Sequence, residues 1–186
     1  HTLASDGSAT LEQMRLAARE RGLTYLGISE HSASAFYARG LDAERLLEQL
    51  TEIDALNVDP DGCVLLTGVE SDIRQDGTLD YPDDVLGELD VIVASVHRRH
   101  GQGEAEMTRR MVAAASHRLT DIIGHPTGRL LLGRGRFLSR ALLVRGRFYF
   151  SKLRGNETSV LFQSFRNRQR TFRSDWGMRH HVRPWW

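Results

Sequence analysis

Val91-Ile92-Val93-Ala94-Ser95-Val96-His97 is an uncharged, largely β-branched run that stops on an imidazole. Its length suits a strand and is too short for a helix, and its unbroken apolar character belongs to a strand covered on both faces. The same phrase occurs twice upstream: Tyr25-Leu26-Gly27-Ile28-Ser29 runs into Glu30-His31, and Val64-Leu65-Leu66-Thr67-Gly68-Val69 runs into Glu70. Downstream, Asp121-Ile122-Ile123-Gly124 leads into His125-Pro126. Helical patterns lie between these runs. Thr10 and Gln13 have the spacing of a capping box before the stripe Leu11, Met14, Ala17 and Ala18, and Gly22 ends that helix. Asp42 caps a second helix with the face Leu46, Leu47, Leu50, Ile53 and Leu56. Gly77 marks a turn, a short acidic helix is expected near 83–89, and a third long helix over about 103–117. Strands alternating with helices predict an α/β fold with a parallel sheet. In a closed barrel of such units, functional side chains gather at the C-terminal ends of the strands. His31, Glu70, His97 and His125 fall there.

The composition narrows the setting. With 186 residues, 40% apolar and 26% charged, the chain has the make-up of a globular domain with a core. One cysteine, Cys63, excludes a disulfide framework; it opens an apolar run and reads as a core residue in a cytoplasmic protein. No window is long and apolar enough to span a membrane, so no membrane partner is expected. The chain opens on His1-Thr2 with neither Met nor a leader pattern and reads as a fragment. The net charge of +1 conceals two halves. Residues 134–186 carry 13 Lys+Arg against Glu157 and Asp175, which leaves 12 basic and 22 acidic residues in 1–133. A reversal that sharp predicts a boundary there, with a domain over 1–133 and a basic tail after it.

One histidine after a strand is ordinarily solvated or hydrogen-bonded. Three histidines and a glutamate, each ending a different strand, are a different matter. Imidazoles buried against a carboxylate are costly to desolvate unless a cation joins them. Nitrogen and carboxylate ligands suit Zn, Mn or Fe, whereas Ca and Mg prefer all-oxygen sites. Arg98, Arg99 and Arg129 follow the ligand-bearing loops and are candidates to clamp a phosphate, although each taken alone reads as a surface ion pair. Glu30 could orient His31 as an acceptor. His100 reads as solvated.

Five segments carry a resemblance to a known family: His1-Thr2 with Ser5-Asp6-Gly7, Ser29-Glu30-His31-Ser32, Gly68-Val69-Glu70, Ala94-Ser95-Val96-His97 and Gly124-His125-Pro126. They resemble the PHP (polymerase and histidinol phosphatase) domain, a distorted, TIM-like (β/α)7 barrel with a trinuclear metal site. Gly40-Leu41, Glu44-Arg45-Leu46, Asp76 to Pro82, Glu106 to Arg110 and Pro126 to Leu131 are similar to the C-terminal PHP domain of bacterial family X DNA polymerases. The likeness covers 1–133 and none of 134–186, so a truncated barrel is implied. It implies His1, Asp6, His31, Glu70, His97 and His125 as metal ligands, with Glu70 bridging two ions. Six of the nine ligands of the pattern are then present, the opening histidine and a late Asp-x-His pair having no counterpart. Glu70, His97 and His125 would complete one site and act catalytically. His1 with Glu70, and Asp6 with His31, would leave two further positions weakened or without metal.

The resemblance implies a Mn- or Zn-dependent phosphoesterase that works at DNA 3′ ends through a metal-activated hydroxide. It implies gapped or nicked DNA as partner, and a polymerase domain before His1. Two other readings stand beside it: a small-molecule phosphatase of the histidinol-phosphatase type, and an inactive structural or binding domain. The tail has 12 arginines interleaved with aromatics and no sustained period. It reads as a non-native frame or mis-assembled sequence or, if native, as a basic DNA-binding extension.

Overall fold

The computed structural model describes residues 1–58 and 62–126. Arg129 and the whole of the tail therefore lie outside the described residues. The elements alternate as expected: α1 (Leu11–Glu20), β1 (Tyr25–Gly27), β2 (Glu30–His31), a 3-10 turn (Phe36–Ala38), α2 (Ala43–Leu56), β3 (Val64–Leu66), β4 (Gly68–Asp72), α3 (Asp83–Gly87), β5 (Val91–Ser95), α4 (Glu104–Ser116) and β6 (Ile122–Ile123). Among the described residues the strands all pair in parallel, with β1 beside β3 and the order β2-β4-β5-β6 in the larger sheet.

Two expected strands each divide in two. Tyr25 faces Val64 in the first sheet and His31 faces Glu70 in the second, so one register runs through both. The break at Thr67 has a local cause: its N–H and hydroxyl both donate to the Asp90 carboxylate at 2.9 Å, while its carbonyl accepts from Asp90 and Val91. Past the break, β4 runs on to Asp72, so Glu70 lies inside a strand and does not follow one.

The helix signals act as the residue chemistry predicts. Thr10 and Gln13 form a reciprocal capping box, and the Asp42 carboxylate accepts from the Arg45 N–H at 2.9 Å. Gly77 takes φ +91, and a β-carbon there would meet the Ala113 methyl at 2.5 Å. Leu47 departs from the expected face of α2: it is exposed, and Gln49 is buried instead. The larger core joins Val69, Ile92, Ala94 and Ile123 of the sheet to Leu86 of α3 and to Met107, Met111 and Ala114 of α4. A smaller one joins Leu11, Ile28, Ile53 and Leu65. Cys63 is buried and reduced, as expected. Among the described residues no helix is long and apolar enough to cross a membrane.

Candidate metal centre

Glu70 is the hub of the site. Its Oε2 lies 3.3 Å from His1 Nε2 and 3.8 Å from His31 Nδ1, and its Oε1 lies 3.3 Å from His97 Nε2 and 3.0 Å from His125 Nε2. Parallel pairing sets this convergence, because β2 and β5 flank β4 with His31 opposite Glu70 and Glu70 opposite Val93. His97 and His125 lie two residues beyond β5 and β6. His1 stacks on His31 at 4.1 Å between ring centroids, and Asp6 Oδ2 stands 3.8 Å from His31 Nε2.

Two triads bring one ligand atom each within 4.8 Å of one another: His1, Asp6 and His31, and His31, Glu70 and His97. The resemblance grouped Glu70 with His97 and His125; Glu70 Oε1 lies within 3.3 Å of both rings, but His125 belongs to neither triad.

The terminal loop that carries His1 and Asp6 is held by Glu30. Its carboxylate accepts the Thr2 N–H at 2.8 and 3.0 Å, the Gln49 amide at 3.1 Å and the Ser5 hydroxyl. Adjacent strand residues point to opposite faces, so Glu30 cannot share the face of His31. It fastens the loop instead of orienting that imidazole, contrary to expectation. Arg45 adds a bond to the Ala4 carbonyl at 2.6 Å. A β-carbon on Gly7 would meet the His1 carbonyl at 2.4 Å, so the loop closes only around a glycine.

Asp72 was missed in the sequence. It lies two residues after Glu70 on the same face of β4 and accepts from His97 Nδ1, which turns Nε2 of that ring towards Glu70. Its other oxygen accepts from the Ser34 hydroxyl at 2.7 Å. The alternation Glu70-Ser71-Asp72 was the available signal, obscured because the apolar run ends at Val69. Ser95 was missed as well; its hydroxyl donates to Glu70 Oε1 at 2.7 Å. Arg110 of α4 binds the carbonyls of Ile73 and Arg98 at 3.0 Å, tying the loops that follow Asp72 and His97 to one guanidinium. His100 is half-buried and bonds the His97 carbonyl at 3.0 Å, so it is not simply solvated. Arg98 and Arg99 are exposed, and Arg99 takes a left-handed φ of 59°.

Glu70 and the imidazoles around it shift one another's ionisation. Burial opposes ionisation of Glu70, but the bonds from His1, His125, His97 and Ser95 outweigh it and hold the carboxyl far below the usual range. Burial works against charge on His97 too, yet Asp72 and Glu70 push its pKa up to about 9. His31 moves the other way, lowered by burial and by the neighbouring His1. Its buried Nδ1 has no hydrogen-bond partner among the described residues. An orphaned imidazole nitrogen beside a carboxylate, with four more donors in reach, fits a divalent ion.

No protein-family model matches the chain. Over 131 residues it is 45% identical to the DNA polymerase/3′-5′ exonuclease PolX of Bacillus subtilis, an alignment that takes 70% of this chain and 23% of that protein. It is 27% identical over 132 residues to a probable phosphatase of Caldanaerobacter subterraneus subsp. tengcongensis, and 29% over 133 residues to one of Shewanella sediminis. Those two alignments take 68% of this chain, and 49% and 50% of the two phosphatases. The chain thus spans about a quarter of the polymerase relative and about half of the phosphatases, in an α/β fold of parallel strands.

Proposed function

We propose that residues 1–133 are a PHP-type, metal-dependent phosphoesterase module from a polymerase-related protein, part of a (β/α)7 barrel, acting on phosphodiester or phosphomonoester bonds at DNA 3′ ends. The observation that carries this reading is the convergence of four histidines on the Glu70 carboxylate. The 45% identity to a polymerase with 3′-5′ exonuclease in its name supports the choice of DNA. An N-terminal polymerase domain, a cytoplasmic setting and a separate tail after 133 belong to the same proposal.

His1, Asp6, His31, Glu70, His97 and His125 would hold the metal, Mn or Zn with Fe as a third option. When bound, such an ion supplies Lewis acidity, drawing charge from a phosphoryl oxygen and acidifying water at neutral pH. The protein's own part is arrangement. Asp72 keeps the His97 proton on Nδ1 and leaves Nε2 to face the centre. Glu30 and Gln49 hold the loop of His1 and Asp6 at the rim. Arg98, which is exposed and follows His97 in the chain, would pair with a substrate phosphate.

The test is hydrolysis of a 3′-recessed DNA duplex by the purified chain supplied with Mn or Zn. Release of nucleotides is expected, falling about 100-fold or more in Glu70→Ala and His97→Ala. No turnover with Mn, Zn or Fe would overturn the enzyme reading in favour of an inactive binding domain. The 26–29% identity to probable phosphatases favours a second reading, a small-molecule phosphatase. Faster hydrolysis of histidinol phosphate than of DNA would establish it.

A further inference from the structure

Two aromatic side chains stand out of the surface next to the ligand cluster. Phe36 is 70% exposed and Tyr37 59% exposed, on one 3-10 turn. The turn is firmly held. Ala35 and Ala38 are buried, the Ala35 N–H bonds the Ser32 carbonyl at 2.9 Å, and the Gly40 N–H returns to the Ala35 carbonyl at 3.1 Å. Ser34 donates its N–H to Asp80 and its hydroxyl to Asp72, both at 2.7 Å. Because Asp72 also holds His97, the turn and that ligand share one fixed point. The Tyr37 ring lies 6.3 Å from the His31 imidazole, and Phe36 meets Tyr37 edge-on at 6.2 Å. The Arg98 guanidinium sits 5.2 Å from the centroid of the Phe36 ring and donates to the Ser34 carbonyl at 3.3 Å.

Scattered exposed apolar residues are ordinary, but a pinned aromatic pair with a guanidinium over one ring is a different object. Exposed aromatic rings stack on other flat rings, and an adjacent cation pairs with phosphate. We propose that Phe36, Tyr37 and Arg98 form a stacking platform for the terminal nucleobases of a single DNA strand whose phosphates enter the Glu70 centre. The inference rests on the phosphoesterase reading above and assigns it a substrate class: a frayed or single-stranded end with bases. The platform selects for a base without selecting which base, since every base has a π-face.

The experiment compares two oligomers of equal length and charge, a fluorescein-labelled decathymidylate and its abasic tetrahydrofuran counterpart, by anisotropy with the full chain. The decathymidylate is expected to bind about 10-fold more tightly. Phe36→Leu with Tyr37→Leu keeps apolar bulk and removes flatness, and should erase that preference while leaving affinity for the abasic strand and Mn binding by calorimetry unchanged. Tyr37→Phe should retain it. Arg98→Gln should weaken both oligomers alike and lower the slope of log affinity against log salt by about 0.7. Equal affinity for the two oligomers, or a preference that survives the double Leu variant, overturns the platform. Failure of the phosphoesterase reading is separate: base preference without hydrolysis in Mn leaves the platform standing, and hydrolysis without base preference removes it alone.

Discussion

Asp72 and Glu30 show how single carboxylates set the geometry of a site they do not occupy. Asp72→Asn removes the charge that fixes the His97 tautomer. Metal affinity measured by calorimetry is expected to fall about 10- to 100-fold, with the far-ultraviolet circular dichroism unchanged. Glu30→Ala strips the Thr2 N–H and the Gln49 amide of their buried acceptor. A loss of about 2–4 kcal/mol in urea unfolding is expected, since buried donors would be left unpaired. Both roles were invisible to a reading by motif. Glu30 looked like a partner of His31 because the two are adjacent in sequence, whereas the strand sends them to opposite faces. Asp72 lay past the end of an apolar run, where a strand boundary had been expected.

At the scale of elements, the connection from β4 to α3 joins core and site. Tyr81 lies in it, its hydroxyl donating to the Leu41 carbonyl. Burial, and then the nearby Asp80, raise the phenol well above its ordinary pKa. In the unfolded chain tyrosine ionises near pH 10, so the contribution of Tyr81 is complete below that pH and is lost as the pH climbs further. Tyr81→Phe should cost about 1 kcal/mol at pH 8. Thermal unfolding scans between pH 8 and 11 should show its deficit against the parent shrinking above pH 10. Gly77→Ala should cost roughly 1–3 kcal/mol from the positive φ, and more from the contact with Ala113. The helices were legible because caps and apolar stripes act within a few residues. The strands were legible as apolar runs but not in their extents, because β4 continues through Ser71 and Asp72 by pairing with Ala94 and Ser95 of β5, partners distant in the chain.

Across the whole molecule, the proposed metal would be linked to stability. An ion that binds the folded chain at 100 times its dissociation constant stabilises it by about 2.7 kcal/mol. Mn or Zn should therefore raise the unfolding midpoint, a chelator should reverse the rise, and Glu70→Ala should abolish it. No shift with either metal would contradict the six-ligand assignment. The sequence alone determined the alternation of strands and helices, the parallel sheet and which side chains were candidates, since periodicity, caps and strand-end residues are local properties of the chain. Tertiary structure alone decided that Glu70 is the point where His1, His31, His97 and His125 meet, and that Asp72 stands behind His97. It also placed the aromatic turn beside them. The physical reason is register: parallel pairing aligns residues 39 or fewer positions apart, as His31 with Glu70 and Glu70 with Val93, and that alignment is a property of packed strands, not of any one of them.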